Sequence, residues 1–444
     1  MLISLIIAII AGNTSTYCAT VWIATHTVLW KNIGLAFPNG IPSYDTYARM
    51  LRMLDHEALA MEFVNWMNQI LLPVGIHMAI DGKGLVGATE RIKGKRIPYV
   101  LNIVETHTGL TIAAIPIQEK SNEIRAIPQI LAWVAICSNI FTIDAIGTQT
   151  EIIQLILQEH GDFLLLVKRN NPDAYDRLIS YFTSCRKEQA ENAQNSKENP
   201  KQQNASAPSG HCKQQSGRKH FSQCECQPDP NLSITEWKFE KNRDRIEYRR
   251  CIVMNISSEH NNEHMADVIL GATSSLGQMP LGTFKTIGMY EAVRIPLEQD
   301  EYGNDITPSL TEFLEHGSKK RPHPKTGDEE DCDIYRIGIV SHAELTAEQA
   351  MNIKRHHWSV ENKLHHVLDA SMREDYSSSK AAKWNLSLLR KLSLNLIRLA
   401  MIYQDIKDMN SIPAEGLLLA SDPELLRKLV FGNLPLIKLE AWNQ

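Results

Sequence analysis

Hydrophobic and polar positions follow a helical spacing over the first part of the chain. Ser43 stands where it can cap a helix that starts at Tyr44, and Asp55 can cap a second one. The second segment repeats its apolar residues every three or four positions, at Leu59, Phe63, Met67 and Ile70. We therefore predict a small helical domain over residues 1–72.

Short apolar runs replace this spacing from residue 76 onward. The runs predict strands at 76–81, 97–106, 110–118, 139–146 and 162–168, with helices at 124–134, at 148–160 and from 172. Pro116 suits an edge strand because it has no N–H to donate. Three antiparallel strands followed by βαβ crossovers form a ribonuclease-H-like order, in which the first and fourth strands are parallel neighbours. Asp81 ends the first of these strands and Asp144 lies near the end of the fourth, so we expect the two acids to lie side by side.

The whole pattern predicts an α/β fold: a ribonuclease-H-like mixed sheet flanked by helices, with a β-rich insertion and a small N-terminal helical domain. The expected domains are an N-terminal one at 1–72 that lacks the beginning of its first helix, the first part of the core at 73–182, an insertion at 183–345 and the helical remainder of the core at 346–444. Within the insertion, polar stretches at 183–232 and 298–333 predict flexible segments, and 234–256 and 283–295 predict strands.

Composition limits the classes of function. With 43% hydrophobic and 22% charged residues the chain is an ordinary globular protein, and its formal net charge of -5 is unusual for a nucleic-acid binder. A DNA-binding surface would have to collect basic residues on one face. The eight cysteines show no disulfide pattern, which favours a reducing, cytoplasmic location.

The apolar run over residues 1–12 leaves two interpretations open. It resembles the core of a signal peptide, although no basic residue precedes it and it is too short to span a bilayer. The alternative is a buried helix. No other segment predicts a membrane crossing.

Carboxylates carry the candidate chemistry. Two-metal phosphoryl transfer uses a few acidic ligands, because Mg²⁺ prefers hard oxygen donors. Asp81 and Asp144 supply two of them, and a third must come from a helix packed on the same sheet edge. Glu361 lies on such a predicted helix beside an apolar stripe of Val360, Leu364, Val367 and Leu368. Spacing alone does not select Glu361 among the downstream acids.

Several blocks resemble one known family. They are 38–46 (PNGIPSYDT), 79–83 (AIDGK), 120–124 (KSNEI), 142–147 (TIDAIG), 355–369 (RHHWSVENKLHHVLD), 373–375 (RED) and 388–396 (LLRKLSLNL). In order and spacing they are similar to the H-repeat-associated transposases of bacterial insertion sequences, a branch of the DDE transposases.

The resemblance implies a DDE-type transposase that cuts and joins DNA at the ends of its element. Its three acids map to Asp81, Asp144 and Glu361, which would hold two Mg²⁺ ions, with Mn²⁺ as a substitute. It also implies partners: double-stranded DNA, namely the terminal inverted repeats and the target, and a homodimer on paired ends, with no membrane. Residues expected to contact DNA are Lys83, Lys168, Arg249, Trp358 and Asn362.

The chain departs from the family pattern after Lys83, at 168–171 and at 243–249. These changes leave the three acids intact but keep an alternative open: a decayed or domesticated copy that binds DNA without cutting it.

Three further groups are weaker candidates, each with a plainer interpretation. Arg91, Lys93, Lys95 and Arg96 form a basic turn that either neutralises phosphates or is a solvated hairpin. His211, Cys212, His220, Cys224 and Cys226 either hold zinc or lie in a polar insert, since their spacing matches no common ligand pattern. A last group either contacts DNA or, more simply, forms the polar face of a core helix: Lys380, Lys383, Arg390, Lys391 and Arg398. His357 is expected to pack or to contact a phosphate.

Overall fold

The computed structural model describes residues 1–86, 97–117, 123–144, 148–198, 232–241, 245–256, 270–271, 274, 276, 278–280, 282–317, 320–322, 329–331, 333–376, 382–404, 411–432, 434–439 and 441–442. These residues form two compact units. One unit comprises residues 1–166 and 352–444, and the other comprises residues 167–351.

Five helices open the first unit: α1 (Leu2–Ile10), α2 (Thr16–Thr25), α3 (Thr27–Ile33), α4 (Tyr44–Met53) and α5 (His56–Ile70). The two predicted caps are confirmed: Ser43 accepts a hydrogen bond from Thr46 N, and Asp55 accepts two from Glu57 N and Ala58 N. Helix α1 is buried from Ser4 to Ile10, so the apolar N-terminal run is a core helix here. Within the described part of the chain, every helix is too short or too polar to cross a bilayer.

The sheet of the first unit contains the predicted strands. After a two-residue strand, β1 (Leu71–Leu72), come β2 (His77–Gly84), β3 (Tyr99–Glu105), β4 (Thr111–Ile117), α6 (Glu123–Leu131), β5 (Ile140–Ile143), α7 (Thr150–Gln158) and β6 (Asp162–Val167). Their spatial order is β4-β3-β2-β5-β6. The β2–β3 and β3–β4 pairs are antiparallel, whereas β2–β5 and β5–β6 are parallel. This is the predicted ribonuclease-H-like arrangement, and Pro116 lies on its edge strand.

The second unit begins with the long helix α8 (Pro172–Glu198), which continues well past residue 183, where the composition becomes polar. Its strands are β7 (Leu232–Ile234), β8 (Lys238–Lys241), β9 (Arg245–Asn255) and β10 (Thr286–Pro296). A short helix α9 (Leu310–Glu312) and the small strands β11 (Lys320–Pro322) and β12 (Glu329–Asp331) precede β13 (Ile334–Ser341), an antiparallel partner of β10 that the sequence analysis did not predict. The strand structure predicted over 234–256 consists of three separate strands, β7, β8 and β9.

Helices complete the first unit: α10 (Ala347–His357, which starts in the second unit), α11 (His366–Ala370), α12 (Lys383–Tyr403), α13 (Ile412–Ala420) and α14 (Pro423–Phe431), before the strand β14 (Ile437–Lys438) that pairs with β1. A π-helical turn, Val360–His365, joins α10 to α11. Helix α12 packs against α1, α5, β4 and α13, so nearly all of its side chains are buried.

Burial of α12 corrects one expectation. Arg390, Lys391 and Arg398 have exposed fractions of 3%, 0% and 6%, so they do not form a solvated polar face. The carbonyls of Gly109 and Lys363 accept hydrogen bonds from Arg398, and Thr14 O accepts one from Arg390. These cations therefore join segments of the unit to α12. Lys380, the basic turn at 91–96 and the histidines and cysteines at 211–226 lie outside the described residues.

Candidate metal centre

Strand register brings the first two acids together. Ile80 on β2 pairs in parallel with Ile143, the last residue of β5, so Asp81 on β2 and Asp144 just after β5 come next at the same level. Because β2 continues to Gly84, Asp81 lies within its strand and does not end it as predicted. Neighbouring strands lie about 4.8 Å apart, so the two carboxylates start from adjacent backbone positions. The apolar runs preceding the acids cause this, since residues 77–80 of β2 and all of β5 are buried.

The three residues of the motif Asp81-Gly82-Lys83 point alternately to the two faces of β2. Asp81 and Lys83 point to one face of β2 because side chains alternate along a strand. Gly82 points to the other face, where any added Cβ would collide with the buried carboxylate of Glu123 on α6. Glycine therefore lets α6 pack closely behind the first acid.

Glu361 is the second residue of the π-helical turn that follows α10. Its stripe neighbours Val360, Leu364 and Leu368 are buried, whereas Glu361 itself has 61% of its side chain exposed. π-Helical turns are rare and often occur at functional sites. Here the turn presents Glu361 and His365 towards Asp81.

The turn at residues 106–109 anchors this helical segment. Ser359 Oγ and Lys363 Nζ donate to the carbonyl of Thr106 at 3.0 and 2.9 Å. Gly109 approaches the same helix so closely that an added Cβ would lie 2.9 Å from Lys363 Cβ. Its φ of +80° also favours glycine. The third acid is thus fixed by contacts to the β3–β4 connection.

The imidazole of His365 lies between the carboxylates of Glu361 and Asp81. His365 Nδ1 lies 3.3 Å from Glu361 Oε2 and 3.7 Å from Asp81 Oδ2. One potential ligand atom from each of Asp81, Glu361 and His365 falls within 4.8 Å of the others. Asp144 contributes electrostatically, because its charge acts on Asp81.

The pKa values of Asp81 and Glu361 are shifted in opposite directions. Burial raises the pKa of Asp81, and the negative charges of Glu361 and Asp144 raise it further. The hydrogen bond from His365 lowers the pKa of Glu361. Acids that repel one another in a half-buried place are stabilised when a cation neutralises them.

The donor set fits a divalent cation. Asp81, Asp144 and Glu361 offer the hard oxygens that Mg²⁺ and Mn²⁺ accept, and His365 adds a nitrogen that suits Mn²⁺ better than Mg²⁺. The residues present therefore match a metal site of the expected kind.

The residues predicted to contact DNA occupy different environments. Lys83 has an exposed fraction of only 6%, and its Nζ lies 2.7 Å from both carboxylate oxygens of Asp369. Trp358 and Asn362 are exposed beside Glu361 on the same helical segment. Trp358 packs against the Lys354 ammonium, 5.2 Å from the ring centroid.

The other two predicted DNA contacts, Lys168 and Arg249, belong to the second unit. Lys168 is half-buried just after β6. Arg249 forms ion pairs with Glu240 and Glu247 at 2.7 and 2.6 Å. A role in DNA binding remains a prediction for both.

Sequence reasoning missed several buried polar groups on the elements that carry the acids. His77 and Thr142 lie inside apolar strands and are buried, as is His357 at the end of α10. His357 is therefore a packed residue, which is one of the two expectations for it. A polar residue inside an otherwise apolar strand is the signal that could have identified His77 and Thr142.

Comparison with known proteins agrees with this architecture. A sequence profile described as "Transposase DDE domain" matches residues 74–396, and one described as "DDE_Tnp_1-associated" matches residues 1–67. The chain is 36% identical over 145 residues to the "H repeat-associated putative transposase YhhI" of Escherichia coli K12, a stretch that is 32% of this chain and 38% of that protein. It is 34% identical over 153 residues to the related protein YbfD, covering 33% of this chain and 58% of that one.

A third relative, named "Putative transposase YncI" in the same strain, is 36% identical over 135 residues, which are 30% of this chain and 54% of YncI. The matched stretch thus spans about half the length of these relatives or less. A cryo-EM structure of a piggyBac transposase synaptic complex with hairpin DNA has a TM-score of 0.38 and 10% identity, covering 97% of this chain and 72% of that one.

The H-repeat-associated relatives agree with the family that the motifs predicted. Because the domain profile covers well over half of its 444 residues, the chain belongs to the transposases that carry the DDE domain.

Proposed function

We propose that this chain catalyses metal-dependent cleavage and strand transfer of DNA at the ends of an insertion sequence. The observations that support the proposal are the neighbouring backbone positions of Asp81 and Asp144 on paired strands, and the approach of Glu361 to Asp81, which is close enough for the two to share a cation. The family of the chain supports the same reaction class.

Asp81, Asp144 and Glu361 would hold the metal, and bound Mg²⁺ or Mn²⁺ would supply activation of the attacking oxygen and stabilisation of the leaving one. Water would first attack a phosphodiester in line and release a 3′-hydroxyl. That hydroxyl would then attack a target phosphodiester and displace its 3′ oxygen. No bond between DNA and protein forms in either step.

Neighbouring residues would orient these groups. His365 donates to Glu361 and holds that exposed carboxylate towards Asp81, which limits its rotation. Trp358 and Asn362 can meet DNA as they stand, because both are exposed beside Glu361. Lys83 would have to break its ion pair with Asp369 before it could contact DNA, so we propose that its role is to place a positive charge beside the site.

For the partners we propose double-stranded DNA bearing the terminal inverted repeats, target DNA, and a homodimer on paired ends. Lys168 and Arg249 would contact DNA from the second unit. Inverted repeats that flank the gene would identify the substrate.

The test uses labelled duplexes that carry those repeats, with the full chain and Mg²⁺ or Mn²⁺. Asp81→Asn and Glu361→Gln should lower the cleavage rate by about a hundredfold or more, since losing a ligand removes several kcal/mol of transition-state stabilisation. Glu62→Gln, an exposed acid on α5, is the matched control and should cut normally. Undiminished cleavage by both site variants would refute the assignment. A wild-type chain that binds the repeats specifically but never cuts them would favour a DNA-binding role instead.

A further inference from the structure

A chain of buried hydrogen bonds runs beneath the three acids. Thr106 Oγ1 lies 3.0 Å from His77 Nδ1, and His77 Nε2 lies 2.8 Å from Thr142 Oγ1. Thr142 Oγ1 in turn lies 2.9 Å from His357 Nδ1. All four side chains have exposed fractions below 10%.

Each link of this chain belongs to an element that carries one acid or anchors it. His77 precedes Asp81 by four residues on β2, and Thr142 precedes Asp144 by two on β5, so each pair shares a face of its strand. His357 ends α10, about one helical turn before Glu361.

This series of hydrogen bonds closes into a ring through the turn at residues 106–109, which anchors the third acid. Thr106 N donates to His77 O at 3.1 Å, which fixes the turn to β2. Ser359, between His357 and Glu361, donates to the carbonyl of Thr106. The ring therefore joins β2, β5, the 106–109 turn and the helical segment of Glu361 in one layer below the site.

The donors and acceptors of this ring can all be satisfied without a charge. Thr142 has one hydroxyl proton, so it donates to one imidazole and accepts from the other. A neutral His77 likewise donates through one nitrogen and accepts through the other. Burial lowers the pKa of His77 well below its usual range, which favours this neutral form. A fully satisfied polar network of this kind fixes the relative positions of its members.

We propose that the Thr142 hydroxyl, with His77 and His357, is a positioning device that sets the distances between Asp81, Asp144 and Glu361. These residues act through the strands and the helix and do not touch metal or DNA. The inference rests on the proposed function, because it concerns the same metal site.

An isosteric change isolates the hydroxyl. Thr142→Val keeps the shape of the side chain but leaves two buried imidazole nitrogens without their common partner. Thr142→Ser retains the hydroxyl. The control is Thr111→Val on β4, a buried threonine whose hydroxyl has no hydrogen-bond partner among the residues that the structure describes.

Metal affinity is the first readout, measured by calorimetric titration of Mn²⁺ into the metal-free full chain. Thr142→Val should weaken Mn²⁺ binding about 10- to 100-fold, as loss of groups that orient ligands typically does. The Mn²⁺ affinity of Thr142→Ser should stay within about threefold of wild type, and that of Thr111→Val should equal the wild-type affinity. In the cleavage assay Thr142→Val should lower kcat by a larger factor than it changes KM.

A Thr142→Val protein that binds Mn²⁺ as tightly as wild type overturns the proposal. If that variant does not fold, Thr106→Val interrupts the same ring at its other end, and undiminished Mn²⁺ affinity in Thr106→Val overturns it equally. Should the wild-type chain bind Mn²⁺ but cut no DNA, the proposed function fails, while the affinity comparison still decides the positioning role.

Discussion

Replacing Gly109 by alanine should displace the segment that carries Glu361. Gly109 has φ +80°, and its Cβ would lie 2.9 Å from Lys363 Cβ and 3.0 Å from Arg398 Cζ. The left-handed backbone costs a non-glycine residue about 1–2 kcal/mol. The overlap with two fixed neighbours adds about 1–3 kcal/mol, so we expect a total loss of about 2–5 kcal/mol in the free energy of unfolding.

Gly34 provides the matched control. It has the same φ of +80°, but an added Cβ would meet nothing within 4 Å. Gly34→Ala should therefore lose only the backbone part, about 1–2 kcal/mol. The difference between the two variants measures the contact of Gly109 with the helical segment.

Urea unfolding followed by tryptophan fluorescence suits this comparison, because seven of the eight tryptophans belong to the first unit and only Trp237 to the second. Cleavage should also separate the variants: displacing a ligand by about 1 Å can cost about a hundredfold in rate, whereas Gly34→Ala should cut normally. Equal stability and equal cleavage in the two variants would refute the anchoring role of the 106–109 turn.

Further predictions concern the buried polar groups of α12. Burial lowers the pKa of Lys391 to about 8. Between pH 8 and about 10.5 the unfolded chain therefore holds more protons than the folded one, so the stability of wild type relative to Lys391→Met should rise with pH in that window. Parallel curves of stability against pH for the two proteins would contradict this. Asn395 bonds the backbone N and O of Thr111, and Asn395→Leu should cost about 2–4 kcal/mol in urea unfolding. Arg398→Met should cost about 3 kcal/mol or more, because the carbonyls it serves become unsatisfied, and a loss below about 1 kcal/mol would argue against that role.

Much of the fold could be predicted because its signals are local. Ser43 and Asp55 cap helices by bonds to residues two or three positions away, and the apolar runs before Asp81 and Asp144 set buried strands. The unpredicted strand β13 lies directly after the acidic, proline-containing stretch, which obscured its start.

The sequence by itself determined most of the helices and strands and the acids that accompany two of the strands, since helical and strand periodicities are properties of a few consecutive residues. Tertiary structure alone decided what those elements face. Arg398 has the spacing of a solvated cation, yet α12 is covered on nearly all sides. Thr142 meets His77 and His357 across 65 and 215 residues of chain, a separation at which no local pattern specifies a partner.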